Sequence, residues 1–279
     1  MKVAAIQMVS CTLVEHNLRA ARALLTEAAQ AGAELAVLPE YFCVMGQRDT
    51  DKLALQEPLG SGPIQDWLST TARELGLWIV GGTLPLAVDG EGAAAATSGA
   101  KCRNASLAFN PQGERVAVYD KIHLFKFDDG SRVYDEAAVL VPGRQPTWFD
   151  LLSRDGHRWR VGLSVCYDLR FPELYRALAA QGADLLLVPS AFTYVTGQAH
   201  WELLLRARAI ENLACVVAAA QGGQHENGRR TWGQSIVIDA WGTALAQRAQ
   251  GAGVVLAELD PTAVAARRQQ LPALAHRVL

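Results

Sequence analysis

Residues 182–190, GADLLLVPS, repeat the order of residue types in an earlier stretch, GAELAVLPE at 32–40. Each stretch starts with a glycine that ends a helical pattern, then runs through an acidic residue into a short apolar segment closed by a proline. Such segments are typical of strands buried on both faces of an α/β sheet. Two interpretations stay open. Any αβ unit can follow this order, or the chain has two related halves of a layered α/β sandwich whose strand ends meet at one site.

The rest of the chain continues the alternation of strands and helices. The patterns predict strands at 3–8, 35–38, 78–82, 159–166, 185–188 and near 215–220, 233–239 and 253–259, a hairpin within 104–121, and helices at 14–32, 64–75, 172–181 and 201–212. Residues 87–101 are small and Gly-rich, which predicts a surface loop between strands. Because no linker rich in Pro, Ser or charge divides the chain, we expect one α/β domain over residues 1–279.

Composition excludes several classes of partner. Half of the 279 residues are hydrophobic, 19% are charged and the formal net charge is −2, which gives no electrostatic reason to bind nucleic acid or an anionic membrane. No apolar segment approaches the ~18 residues of a membrane span, and the first apolar run is too short for a signal peptide. We therefore expect a cytoplasmic protein with no nucleic-acid or membrane partner.

The cysteines and histidines give no sign of a disulfide framework or a metal site. The five cysteines are widely spaced, with no C-x-x-C pair, which favours a reducing compartment. No two of the six histidines stand four residues apart, so a helical zinc motif is not indicated.

Cys166 lies where an apolar run turns charged, in VGLSVCYDLRFPELYR at 161–176. On an extended strand it would share a face with Gly162 and Ser164, which would leave space in front of its sulfur. Pro172 suits the first turn of a helix, and N–H groups in a strand-to-helix turn can stabilise a thiolate or an oxyanion. A packed apolar cysteine is the commoner state of a free thiol. These residues alone allow either interpretation.

Two other residues could assist a nucleophilic thiol, whose ordinary pKa of ~8.5 calls for a nearby base or cation. Glu40 follows the strand AVLP, at the carboxyl end where α/β sites collect, and burial would raise its pKa towards that of a useful base. Lys121, in YDKIHLF, follows the second hairpin strand and could stabilise an oxyanion. A solvated loop acid and a surface lysine are the alternatives.

Taken together, LPEYF, YDKIHLF and SVCYDLRFPELYR resemble the nitrilase superfamily of carbon–nitrogen hydrolases, in the same chain order. The resemblance extends from VAAIQM to RRQQLPALAHR, nearly the whole chain. It implies a four-layer αββα sandwich, no metal or organic cofactor, and pairing of two copies near the catalytic cysteine.

The resemblance also implies catalytic roles. Cys166 would be the nucleophile, Glu40 the general base, and Lys121 with the backbone N–H of Tyr167 the oxyanion site. Glu136, in VYDEAAVLVPG, matches the family's second active-site glutamate, with a plain loop carboxylate as the alternative. The implied reaction is acyl transfer: the thiol attacks an amide carbonyl, ammonia or an amine leaves, and water hydrolyses the thioester.

The segment SAFTYVTGQAHWELLLRARAIEN, residues 190–212, is similar to the branch that hydrolyses deaminated glutathione. The ω-amidase branch, which acts on α-ketoglutaramate, more often has asparagine where Thr193 stands. N-carbamoyl hydrolysis, a catalytically silent dimeric binding protein and a redox-sensing thiol protein remain alternatives, and nitrile hydrolysis is less favoured.

Both keto-acid substrates carry a carboxylate that a cation would bind. Arg170, four residues after the nucleophile, could form a bidentate pair with it, or could instead pair with Asp168 or Glu173. Thr196 would add a hydroxyl donor by resemblance to the keto-acid amidases. The remaining candidates for the substrate pocket are aromatic: Tyr41, Phe192 and Tyr194.

Overall fold

Two large β-sheets carry the fold, each with three parallel strands at its centre. The computed structural model describes residues 1–88, 101–128, 130 and 133–278. The loop predicted at 87–101 lies mostly outside the described residues, and Ala87 itself ends a strand.

The strands are β1 (Lys2–Gln7), β2 (Leu35–Val37), β3 (Trp78–Val80), β4 (Leu84–Ala87), β5 (Cys102–Phe109), β6 (Arg115–Asp120), β7 (Lys126–Asp128), β8 (Val133–Asp135), β9 (Thr147–Leu152), β10 (Arg158–Leu163), β11 (Leu185–Leu187), β12 (Cys215–Ala218), β13 (Ser235–Ile238), β14 (Ala244–Arg248) and β15 (Gly253–Glu258). The α-helices are α1 (Val14–Gln30), α2 (Pro63–Leu75), α3 (Pro172–Ala180), α4 (Tyr194–Asn212) and α5 (Pro261–Gln270). Short 3₁₀ helices cover Asp49–Leu55, Glu136–Ala138 and Cys166–Arg170.

The two stretches that share a residue pattern occupy matching places in the two sheets. The first sheet has the order β15-β1-β2-β3-β5-β4, with β6 paired to β5, and the second has the order β14-β13-β12-β11-β10-β9. Strand β2 runs parallel to β1 and β3, and β11 runs parallel to β10 and β12. Both are buried throughout, as their uninterrupted apolar sequences predict.

Helices cover the outer faces of both sheets. Leu25 of α1 and Leu68 of α2 pack with Ile79 of β3 on the outside of the first sheet. Helices α3 and α4 cover the second sheet, and apolar side chains such as Val37 and Val161 belong to the core that joins the sheets. The predicted four-layer αββα sandwich is confirmed.

The prediction that a strand continues to Cys166 is wrong. Strand β10 ends three residues earlier, and Cys166 begins a 3₁₀ helix with a backbone φ of 50°. The small residues before it make room for α3 rather than for a substrate. A Cβ on Gly162 would lie 2.9 Å from Leu178, and the Ser164 hydroxyl bonds that of Tyr175 at 2.8 Å.

Helix α4 begins at Tyr194, well before the predicted start at Trp201. Gly197 interrupts the helical pattern there, because a Cβ at this position would meet Trp232 at 2.2 Å. Among residues 1–88, 101–128 and 133–278, no helix has both the length and the apolar character that a membrane crossing requires.

Candidate active site

The carboxyl ends of β2 and β11 meet at one point, beside the turn that carries Cys166. Glu40 follows β2, and its Oε2 accepts a hydrogen bond of 3.0 Å from the backbone N–H of Ala191, which follows β11. The N–H of Cys166 donates to the carbonyl of Pro189 at 2.9 Å. The central parallel strands of the two sheets thus place the Glu40 carboxylate and the Cys166 thiol next to each other.

Lys121 lies between two carboxylates. Its Nζ donates to Glu40 Oε1 at 2.9 Å and to Glu136 Oε1 and Oε2 at 3.0 and 2.8 Å, and its side chain is fully buried. Asn104 Nδ2 also donates to Glu40 Oε1, at 2.9 Å. An ammonium buried this deeply is stable only when such partners surround it.

Glu136 is held from three sides. Besides Lys121, the backbone N–H of Phe125 donates to its Oε2 at 2.8 Å, and the Tyr41 hydroxyl donates to its Oε1 at 2.8 Å. Lys52 Nζ in turn donates to the Tyr41 hydroxyl at 3.3 Å. A chain of polar contacts therefore runs from the pocket wall to the floor.

The pKa values of the two carboxylates are shifted in opposite directions. Burial raises the pKa of Glu40 above its ordinary value, and the negative charge of Glu136 adds to this, while the attraction of Lys121 does not cancel it. Burial also acts on Glu136, but Lys121 and Lys52 together lower its pKa. Burial opposes the charged form of Lys121, yet Glu136 and Glu40 hold its pKa well above the ordinary value. Of the two acids, Glu40 is the one suited to accept a proton.

The surroundings of Cys166 favour the protonated thiol. Burial and the nearby charge of Glu40 raise its pKa well above the usual range, and Lys121 only partly offsets them. The residue is 8% exposed and lies at the floor of a pocket. To become a nucleophile it must transfer its proton to a neighbouring base.

One buried carboxylate ties the Cys166 turn to the Lys121 segment. Asp168 accepts hydrogen bonds from the N–H of Val165 at 2.8 Å and the hydroxyl of Tyr119 at 2.7 Å. It also accepts from the N–H of His123 at 3.0 Å and contacts the ring Nδ1 at 2.7 Å. Since Tyr119 and His123 flank Lys121, this carboxylate fixes the lysine relative to the cysteine.

The pocket above Cys166 brings together most of the residues expected from the sequence. With its open mouth it encloses about 770 Å³. Eight of the ten candidates line it: Glu40, Tyr41, Glu136, Cys166, Tyr167, Arg170, Phe192 and Thr196. Lys121 lies beneath the lining, against the two glutamates.

Comparison with known proteins identifies the family. The profile of the family described as "Carbon-nitrogen hydrolase" matches residues 2–269. The chain belongs to the carbon–nitrogen hydrolase family. It is accordingly an enzyme of the class that hydrolyses carbon–nitrogen bonds of amides.

Relatives of this carbon–nitrogen hydrolase cover nearly its whole length. A deaminated glutathione amidase of Synechocystis is 40% identical over 99% of this chain and 97% of its own. The omega-amidase NIT2 of Danio rerio is 32% identical over 97% of this chain and 92% of its own. The crystal structure of the C. elegans NitFhit protein superposes with a TM-score of 0.87 and 35% identity, covering 99% of this chain. This chain covers 65% of that longer protein.

The suggestion that Arg170 pairs with Asp168 or Glu173 is wrong for this hydrolase. Within the described part of the chain Arg170 has no ion pair with either acid. Its Nη1 lies 3.2 Å from His200 Nδ1, and its guanidinium lies 5.5 Å from the ring centre of Phe192. The positive charge therefore stays available to the pocket.

Thr196 and Tyr194 have different places in the site. Thr196 lines the pocket, and its hydroxyl lies 2.8 Å from that of Thr193. Tyr194 lies outside the lining, and its ring instead packs against Trp232 and supports Arg230, which does line the pocket.

Sequence reasoning missed several residues of the site. Asn104 could have been found from the hairpin, because Lys121 donates its backbone N–H to the Asn104 carbonyl at 3.0 Å. Lys52, Arg229 and Arg230 also line the pocket, but they belong to no motif that would have identified them. No cluster of His, Cys, Asp and Glu suited to a metal ion occurs among the residues that the structure describes.

Proposed function

We propose that this chain is a cysteine amidase that hydrolyses deaminated glutathione to 2-oxoglutarate and cysteinylglycine. The observation that carries the proposal is the buried contact of Lys121 with Glu40 and Glu136 beside the Cys166 thiol, at the floor of a pocket lined by cations. The choice of substrate is supported by relatives named deaminated glutathione amidase, which are about 40% identical over nearly the full chain.

In the first half-reaction the thiol proton of Cys166 moves to Glu40 as Sγ attacks the amide carbonyl carbon. The positive charge of Lys121 and the N–H of Tyr167, in the first turn of the 3₁₀ helix, stabilise the tetrahedral oxyanion. Collapse breaks the C–N bond, and Glu40 returns its proton to the departing amine.

In the second half-reaction water hydrolyses the thioester. Glu40, again a carboxylate, takes a proton from the water as its oxygen attacks the acyl carbon. The C–S bond breaks, the cysteine sulfur regains a proton, and the carboxylic acid leaves. Glu136 fixes the ammonium of Lys121 and remains charged throughout, consistent with its lowered pKa.

The keto-acid half of the substrate would lie against Arg170. Its guanidinium can form a bidentate pair with the α-carboxylate, and the Thr196 hydroxyl can donate to the same group. The rings of Tyr41, Tyr167 and Phe192 line the pocket around this half, while Tyr194 contributes through Arg230.

The ω-amidase reaction on α-ketoglutaramate is the second candidate, favoured by the Danio rerio relative. Both substrates share the acyl half and differ in the leaving group. The deciding experiment compares kcat/KM for 2-oxoglutarate release from each substrate, with Cys166→Ala as the blank. A larger value for deaminated glutathione supports the proposal, and a larger value for α-ketoglutaramate assigns the chain to the ω-amidases.

A catalytically silent binding protein would turn over neither substrate. Alkylation by iodoacetamide separates that case from an amidase with another substrate. An amidase gives preferential modification of Cys166 that its substrate or product prevents, whereas a silent protein gives none. No feature of the pocket favours N-carbamoyl amides, and they serve as further substrates in the same assay.

We further propose that residues 1–279 act as one hydrolase domain in a cytoplasmic homodimer, with a small-molecule amide as substrate and neither nucleic acid nor membrane as partner. Helix α4, which follows the Cys166 turn and α3, leaves Val195 60%, Leu203 72% and Ile210 48% exposed. Apolar side chains grouped on one helix are typical of a protein interface. Light scattering should give twice the chain mass, and Leu203→Glu should reduce it to the monomer.

A further inference from the structure

The mouth of the pocket carries a cation that has no acidic partner among the residues that the structure describes. Two neighbouring arginines line the pocket. The first, Arg229, forms an ion pair with Asp49. Arg230, the next residue, is exposed, and no acidic side chain of the described chain forms an ion pair with its guanidinium. A charge in this position is free to meet an anionic group of the substrate.

Arg230 is nevertheless held in a fixed place. Thr193 and Thr231 form an isolated antiparallel bridge, Tyr194 donates its N–H to the Arg230 carbonyl at 3.2 Å, and Trp232 donates to the Phe192 carbonyl at 3.0 Å. This pairing joins the segment before α4 to the segment that carries the arginine.

The guanidinium stacks on an aromatic ring that is itself supported. Its central carbon lies 3.5 Å from the ring centre of Tyr194, and the Tyr194 ring also makes an edge contact with Trp232 at 5.1 Å between ring centres. Stacking holds the plane of the guanidinium and leaves its N–H edge open, which is the geometry that binds a carboxylate through two parallel hydrogen bonds.

Arg170 and Arg230 line the pocket from different segments of the chain, which suits them to different halves of a substrate. Arg170 lies in the same 3₁₀ helix as Cys166 and is suited to the acyl half. The leaving group must depart through the open mouth, where Arg230 is exposed. We propose that Arg230 forms a second carboxylate-binding subsite, which recognises a terminal carboxylate on the amine leaving group.

This inference rests on the proposed function and sharpens it. Cysteinylglycine, the leaving group of deaminated glutathione, ends in a carboxylate, whereas α-ketoglutaramate releases ammonia. Arg230 would therefore be a specificity residue that separates the two substrates. Long-range electrostatic attraction by the positive charge at the mouth would instead increase the binding of both substrates, because both are anionic.

The test measures kcat and KM of Arg230→Gln on three substrates: deaminated glutathione, the same compound with its glycine carboxylate converted to the amide, and α-ketoglutaramate. Arg19→Gln, a change of an exposed arginine on α1, is the matched control for net charge. We expect about a tenfold rise in KM for deaminated glutathione, as for loss of one charged hydrogen-bonded pair. The other two substrates and the control should change by less than about twofold.

Each outcome decides a separate point. Equal losses on all three substrates, or no loss on any, would overturn the Arg230 subsite while leaving the amidase intact. If the wild-type protein hydrolyses neither keto-acid substrate, the proposed function fails and the subsite fails with it. Arg230→Lys, which keeps the charge but not the planar edge, should restore only part of the preference for the carboxylate-bearing substrate. Full restoration would contradict bidentate recognition.

Discussion

The floor and the mouth of the pocket hold their charges in different ways. On the floor, Lys121 and its two carboxylates are buried and joined by hydrogen bonds of 2.8 to 3.0 Å. At the mouth, Arg170 and Arg230 rest beside aromatic rings and have no acidic partner in the described chain. The charges on the floor are paired with one another in the absence of a ligand, whereas the arginines at the mouth can pair with an anionic ligand.

This difference separates the two tasks of the enzyme. A buried ion pair that loses one member leaves an uncompensated charge, which costs about 3–5 kcal/mol, so changes on the floor should be severe and should act on chemistry. Partly exposed cations are screened by water, so changes at the mouth should be graded and act on binding. Substitutions on the floor and at the mouth test that division.

The largest effect is expected for Cys166→Ala. Without a nucleophile no thioester forms, and kcat should fall by about 10⁴-fold or more. The measurement is 2-oxoglutarate release, with trapping of the acyl-enzyme by mass spectrometry. Cys11→Ala, which removes a partly exposed thiol away from the pocket, is the control and should keep full activity. Substantial activity in the Cys166 variant would show that the floor is not the reaction centre.

Glu40→Gln comes next, with an expected loss of about 10²–10⁴-fold in kcat because the amide cannot take the thiol proton. In the wild type, activity needs the carboxylate form, so the rate should fall as the pH drops through the pKa of Glu40. Burial raises that pKa, which puts the acid limb of the kcat/KM profile above the ordinary value of 4.5. An acid limb at or below that value would remove Glu40 from the role of base.

Glu136→Gln should cost about 10- to 100-fold in kcat, because Lys121 loses one of its two anionic partners. The variant also makes a directional prediction. The charge of Glu136 raises the pKa of Glu40, so its removal should move the acid limb of the profile to lower pH. An unchanged limb with reduced kcat would mean that Glu136 acts on the lysine alone.

Glu40 and Lys121 each follow a predicted strand, but their catalytic roles could be predicted only from the resemblance of three motifs to the nitrilase superfamily. Glu40 follows the apolar run of β2 directly, and Lys121 follows β6. The sequence could not show how far apart Glu40 and Lys121 lie in the folded chain. That Lys121 contacts both Glu40 and Glu136 depends on the way the sheets pack, and the left-handed backbone of Cys166 depends on the turn formed by Asp168.

Other elements were missed because their sequences lack the usual signals. The edge strands β9 and β14 are partly exposed, so their apolar alternation is weak. In α5 only Val264 is buried, which leaves no helical stripe to detect. The predicted start of α4 was too late because Gly197, which lies inside the helix, breaks the helical sequence pattern. A glycine is needed there because a Cβ would collide with Trp232. At the mouth, Arg170 was found from its position four residues after Cys166, whereas Arg230 stacks on Tyr194, which is distant in sequence, and no local pattern marks it.

The smallest expected effect belongs to the mouth and decides whether the division holds. Arg170→Gln should raise KM about tenfold for either keto-acid substrate and change kcat by less than about threefold, because the acyl carboxylate loses its bidentate partner while the floor keeps its contacts. Arg176→Gln is the matched control, since Arg176 lies on α3 and donates to the Glu211 carbonyl, outside the catalytic pocket. The Arg170 change should also spare the acid limb of the pH profile, which follows Glu40. If kcat falls as far as KM rises, then Arg170 helps to shape the Cys166 turn, and floor and mouth act as one unit.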